Sequence, residues 1–133
     1  MRYLLDVNAL IAHGITRHQF RDRVRTWIAS LAVKETPEFA TCSITELGFV
    51  RIVSQISAYG VTLEQAKTHL SMLKASQAYD FKFLVDDNDV SKLPSWVKSS
   101  KQTTDGHLAE LAKSNGCILV TLDETLPGAF VIP

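Results

Sequence analysis

Short apolar runs of strand type alternate with amphipathic runs of helix type along nearly the whole chain. That order constrains the fold more than any other feature. Tyr3-Leu4-Leu5, Phe39-Ala40-Thr41-Cys42, Phe81-Lys82-Phe83-Leu84-Val85 and Cys117-Ile118-Leu119-Val120 read as strands, with helical patterns between them. A helix between two strands carries the chain back to start a parallel neighbour, whereas a hairpin needs only a tight turn. The expected fold is therefore α/β, one domain over residues 1–133, with a central, mostly parallel sheet and helices on both faces.

The helices can be placed by apolar spacing and caps. Residues Phe20 to Val33 carry Val24, Trp27, Ile28 and Leu31 on one stripe. Ser43-Ile44-Thr45-Glu46 matches a capping box and opens a helix to Ile56, with Leu47, Val50, Val53 and Ile56 at helical spacing. Thr62 and Gln65 form a second box before Leu63, Ala66, Leu70 and Leu73. Asn8 is expected to cap a short helix after the first strand, and Thr104 one that stops at Asn115-Gly116. Residues Asp86 to Ser100 read as a loop with one turn near Trp96, and Ala129 to Ile132 as a last short strand.

A chain of 133 residues, 46% apolar, is enough for one buried core. It has no apolar run long enough for a transmembrane helix and no signal-peptide pattern after Met1-Arg2, so the cytoplasm is the expected compartment. Cys42 and Cys117 have no metal-site spacing and are expected to be buried free thiols.

Four acids recur at the junctions of this pattern. Asp6 closes the first strand and Asp123 follows the last strong one; Glu46 and Asp105 lie near helix N-termini. In an open α/β sheet these positions meet on one edge, where ligands bind. Carboxylates gathered there repel one another, and a hard divalent cation such as Mg²⁺ or Mn²⁺ relieves the repulsion. Such a metal is suited to phosphoryl chemistry. The formal charge is zero. With the four acids set aside, ten acidic residues remain against 14 basic ones, a mildly positive body that suits a polyanion.

Each acid also has a purely structural explanation: an Asx turn at Asp6, a capping box at Glu46, dipole complementation at Asp105 and a turn at Asp123. Asp86, Asp87 and Asp89 lack an EF-hand pattern and read as a solvated turn; His13, His18, His69 and His107 show no zinc spacing. Arg17, Arg21, Arg25 and Arg51 are the basic residues placed to contact a phosphate backbone or a protein partner.

Leu4-Leu5-Asp6-Val7-Asn8-Ala9-Leu10-Ile11, Thr45-Glu46-Leu47, Thr104-Asp105-Gly106-His107-Leu108-Ala109-Glu110-Leu111-Ala112 and Val120-Thr121-Leu122-Asp123 resemble, in order and spacing, the four sequence blocks of the PIN domain. The stretch from Phe39 to Arg51 resembles the VapC toxins of bacterial type II toxin–antitoxin systems. The resemblance implies a PIN-like α/β/α sandwich and an Mg²⁺- or Mn²⁺-dependent ribonuclease. Asp6, Glu46, Asp105 and Asp123 match the family's catalytic, metal-binding acids, Asn8 a polar neighbour of the site and Thr121 the hydroxyl of the last block. It further implies an RNA substrate, a VapB-type antitoxin partner and a homodimer away from membranes. The chain departs from the family at Gly106, where alanine is common. Two rivals remain: a catalytically silent PIN-like module that binds RNA or protein, and a receiver-type phosphoacceptor domain. The second wants an acidic pair at the first strand and a lysine after a late one, and Asp6 has no acidic neighbour.

Overall fold

The computed structural model describes residues 1–133. Five strands form one sheet: β1 (Arg2–Leu5), β2 (Glu38–Cys42), β3 (Asp80–Leu84), β4 (Ile118–Thr121) and β5 (Phe130–Val131). Their spatial order is β3-β2-β1-β4-β5, and every adjacent pair is parallel. The order reverses at β1, which has β2 on one side and β4 on the other. This switch point is where the crossovers diverge and leave a crevice at the strand C-termini.

Five helices cover the sheet: α1 (Val7–Gly14), α2 (Arg21–Lys34), α3 (Ser43–Gln55), α4 (Leu63–Lys74) and α5 (Thr103–Ser114). Alternation along the strands divides the core. Tyr3, Leu5, Phe39 and Val120 pack with α1 to α4, including Leu10, Trp27, Phe49 and Leu70. Leu4, Ala40, Cys42 and Leu119 point the other way, onto Leu108, Leu111 and Ala112 of α5. The α/β/α sandwich expected from the sequence is present. No helix is long and apolar enough to cross a membrane. Both cysteines are free, Cys42 buried and Cys117 half-buried.

Three caps differ from the sequence reading. Asp6, not Asn8, caps α1: its Oδ1 accepts from the Ala9 amide at 2.8 Å. The chain turns into the helix directly at the strand end, so Asn8 is already inside the first turn and exposed. In α3 the box is formed by Cys42 and Thr45, with the Cys42 amide donating to Thr45 Oγ1 at 2.9 Å. That shift of one residue removes Glu46 from the capping role. Thr104 does not cap α5; a 3₁₀ turn over Ser100–Gln102 leads into the helix at Thr103. The Thr62–Gln65 box on α4 forms as expected.

The buried stripe of α3 is also rotated. Thr45, Gly48, Phe49 and Val53 face the core, while Leu47 is 66% exposed. Gly48 is the cause. A Cβ there would lie 2.6 Å from Val7 Cγ2, so only a residue without one lets Val7 of α1 pack against α3 at this point, and Phe49, not Leu47, turns inward. Gly106 has an equivalent reason: a Cβ would stand 2.3 Å from Val97 Cγ2, because the 93–97 segment lies down on the start of α5. The loop between β3 and α5 does hold a turn beside Trp96, closed by the Val97 amide on the Pro94 carbonyl.

Candidate functional site

Asp6 sits at the switch point, its amide bonded to the Val120 carbonyl of β4 at 3.0 Å. The residue is 6% exposed. Both carboxylate oxygens are engaged: Oδ1 by the Ala9 amide, and Oδ2 by Thr121 Oγ1, which donates at 2.5 Å. Thr121 also accepts from the Asp123 amide at 2.9 Å and so joins the ends of β1 and β4.

The charges around Asp6 are not compensated. Burial pushes its carboxyl up to about 6, against the two hydrogen bonds, and the charges of Asp105 and Asp123 raise it further. Asp105, in the first turn of α5, is likewise raised by burial and then by Asp123. Asp123 is exposed, and the Thr125 amide and hydroxyl lower its carboxyl. Three carboxylates thus share one electrostatic neighbourhood without an ion-pair partner among the basic residues. A cavity of about 170 Å³ is lined by Asp6, Asn8, Arg51, Thr104 and Asp105, among others.

Glu46 is placed differently. Its Oε2 accepts from Lys74 Nζ of α4 at 2.6 Å and from Thr41 Oγ1 at 2.6 Å. It lines a separate groove between α3 and α4, with Leu47, Val50, Leu70 and Phe83. Lys74 and Thr41 carry no signal in the sequence. A lysine in the last turn of a helix reads as dipole complementation, and its partner is 28 residues away. Of the four arginines singled out by sequence, only Arg51 lines the acid cavity. Arg17 is bound to the Ala58 and Tyr59 carbonyls, Arg21 donates to the His13 carbonyl, and Arg25 stands near enough to His13 to depress its titration.

The 86–89 acids form no rival site. Asp86 pairs with His107, and Asp89 holds the Ser91 amide and hydroxyl. His107 is thereby turned toward the β3–α5 loop.

The donor set of Asp6, Asp105 and Asp123 consists of carboxylate oxygens only, which suits Mg²⁺ or Mn²⁺. No three acidic, histidine or cysteine side chains close around a single point. An open set of this kind fits an ion that keeps several of its own waters and binds through one or two carboxylates. A desolvated acid raised by two like charges is also the group that a cation would relieve most.

Residues 3–129 match the sequence model of the PIN domain. The chain is 35% identical over 127 residues to ribonuclease VapC38 of Mycobacterium tuberculosis, covering 90% of this chain and 84% of that protein. It is 31% identical over 140 residues to ribonuclease VapC44 of the same species, covering 97% and 94%. Two solved structures share the fold. VapC20 of M. tuberculosis, described as a sarcin–ricin loop cleaving toxin, superposes with a TM-score of 0.66 at 11% identity, over 98% of this chain and 99% of that one. VapBC2 of Rickettsia felis, bound to a promoter DNA fragment, gives 0.63 at 16% identity, over 98% and 97%.

Proposed function

Because this chain belongs to the PIN domain family, among its VapC members, we propose that it is a metal-dependent endoribonuclease acting as the toxin of a VapBC-type pair. The observation that carries the reading is the buried Asp6 carboxyl at the sheet's switch point, raised to about 6 with Asp105 and Asp123 beside it and no ion pair to any of the three. Relatives named as ribonucleases, over nine-tenths of the chain, support the reaction class.

Asp6 and Asp105 would hold Mg²⁺ or Mn²⁺, directly or through water, and Asp123 would complete the site. When bound, the ion would polarise the scissile phosphate and lower the pKa of an attacking water. The chain supplies the rest. Thr121 fixes the Asp6 rotamer and the Asp123 backbone together. The Ala9 amide, at the positive end of α1, holds the other Asp6 oxygen. Arg51, on the wall of the same cavity, is placed to meet a phosphate. Asn8 stands on that wall as a polar neighbour. Glu46 adds its charge to the site only once Lys74 lets it go.

The proposed partners are an RNA substrate, a VapB-type antitoxin and a second copy of the chain, in the cytoplasm. The structural neighbour described as VapBC2 supports the antitoxin. The Glu46–Lys74 pair favours the second reading, a PIN-like module that binds RNA or protein without cutting, since it withdraws one of the four acids.

The test is cleavage of end-labelled total RNA by the purified chain with Mg²⁺, with Mn²⁺ and with EDTA, beside Asp6→Asn. Metal-dependent cutting that vanishes in the variant is the expected result. A folded, antitoxin-free chain that cuts no RNA over a wide set moves the assignment to the silent module.

A further inference from the structure

A second cavity adjoins the acids, and apart from Asp123 its lining holds no carboxylate. It has a volume of about 350 Å³ and is lined by Asn8, His18, Gln19, Phe20, Leu122 and Asp123. Asn8 belongs to both cavities, so the two adjoin at that residue, and Asp123 lines the second. The volume is at the lower end of the roughly 300–1,000 Å³ typical of small-molecule sites.

The lining offers flat faces and amide edges. Phe20 is 37% exposed although aromatic. Its ring is fixed by neighbours: Arg23 stands over it at 5.7 Å, and Arg23 is itself bonded to the Ile132 carbonyl at 3.0 Å. His18 stands 5.9 Å from the Phe20 ring at 47°. Its Nδ1 accepts from the Phe20 amide at 3.0 Å, which leaves the proton of the neutral ring on Nε2. Burial lowers the His18 titration, disfavouring the charged ring. Asn8 and Gln19 each carry a donor and an acceptor of the kind that reads a base edge. Leu122 supplies an apolar contact.

We infer that this cavity takes one unpaired nucleobase of single-stranded RNA, held against Phe20 and His18 and read by Asn8 and Gln19, beside the phosphate at Asp6. Sequence-tolerant stacking on aromatic rings with hydrogen bonds to base edges is how unpaired RNA is gripped. Asn8 links the two cavities: Arg51 lines the one that holds Asp6 and Asp105, and Asp123 lines the aromatic one. A backbone crossing the acids then places a neighbouring phosphate near Arg51 and a base in the cavity. A base inside a duplex has no free face to offer, so the site selects single strands. This inference rests on the ribonuclease reading above.

The test uses the full chain as Asp6→Asn, which leaves RNA intact, with labelled oligo(A), oligo(C) and oligo(U) and duplexes of equal length. Single strands are expected to bind more tightly than duplexes. Phe20→Ala in that background is expected to weaken binding about 5- to 150-fold, the size of one lost base stack, and Phe20→Tyr to restore it. A 2-aminopurine in the strand should be quenched on binding and released from quenching in Phe20→Ala. RNA that binds, or is cut by the otherwise unaltered chain, with no dependence on Phe20 and His18 overturns this inference and leaves the nuclease reading standing. A folded chain that neither binds nor cuts RNA overturns the nuclease reading, and this inference with it.

Discussion

Asp6 and Glu46 occupy similar places in the topology and differ in what surrounds them. Each follows a strand of the same parallel sheet at the start of a helix, on adjacent strands β1 and β2. Asp6 is buried with two more carboxylates nearby and no ion-pair partner, so its charge is costly and its carboxyl is raised to about 6. Glu46 is half-buried and paired with Lys74. The first is a charge left unbalanced by the fold; the second is balanced from within it. A fold gains nothing in stability from the unbalanced arrangement. That difference, more than the count of acids, is the reason a cation is proposed at the β1–β4 crevice.

The largest effect expected from this contrast is on cleavage. Asp6→Asn keeps an oxygen for the Ala9 amide and removes the charge, so the chain should fold and lose activity. Metal-assisted charge stabilisation is worth several kcal/mol, which is about a thousandfold or more in rate. A steady-state RNA cleavage assay with matched circular dichroism separates loss of chemistry from loss of fold. A variant that cuts as well as the parent chain breaks the comparison at its root.

Stability against pH reads the same charge without any RNA. Asp6 is raised on folding, so the folded state binds more protons than the unfolded one between the ordinary carboxylate range and about pH 6. Its contribution is full at acid pH and is lost as pH rises through 6. The shift corresponds to about 3 kcal/mol. His13 works in the opposite direction. Burial, with Arg25 and Arg21, pushes it down to about 4, so stability falls as pH drops from the ordinary imidazole range toward that value. The two nearly oppose each other in the parent chain. The difference between the parent and Asp6→Asn isolates the acid: denaturant melts should show Asp6→Asn gaining stability relative to the parent as pH rises from about 4 to 7. A constant difference across that range would place Asp6 in a solvated setting like that of an ordinary acid.

Thr121 sharpens the contrast further, because it is fully buried and touches both sides of the crevice. Thr121→Val keeps the shape and removes the hydroxyl. Asp6 Oδ2 and the Asp123 amide then lose their partner, at about 1–3 kcal/mol for a buried group left unpaired. The loss should be greater above the Asp6 titration than below it, since the missing bond favours the charged form. Urea melts on either side of pH 6 check this; an equal loss at both pH values would assign the hydroxyl to packing alone.

The strand–helix order, the parallel sheet and the position of Asp6 at a strand end were all legible in the chain, because period-2 and helical patterns are local. What was not legible lies at longer range. The α3 face was misread because apolar spacing favours Leu47, whereas contact with Val7 selects Gly48 and turns Phe49 inward. Ser43 and Glu46 spell the capping-box signature and Cys42 and Thr45 do not, yet the end of β2 at Cys42 puts the box on the second pair. Thr121 lies 115 residues from Asp6 and meets it only through the β1–β4 pairing. Gly106 looks like a weak helix start until Val97 is seen against it.

Lys74 is the residue on which the contrast turns with the smallest energy. Its side chain is 31% exposed and that of Glu46 is 23% exposed, so the pair sits near the surface and contributes about 1 kcal/mol or less. Lys74→Met keeps an unbranched apolar stem and removes the charge that stands over the Phe83 ring at 5.4 Å. Glu46 is then held by Thr41 alone, and its charge is free to act on the crevice one strand away. Mn²⁺ binding, followed by the electron paramagnetic resonance of the free ion, should tighten by about two- to tenfold, the range expected for one added charge across a partly solvated gap. Adding Glu46→Gln to Lys74→Met should return the affinity to that of the parent. An affinity unmoved by either change would confine Glu46 to the α3–α4 groove, and the acids of the crevice would then number three.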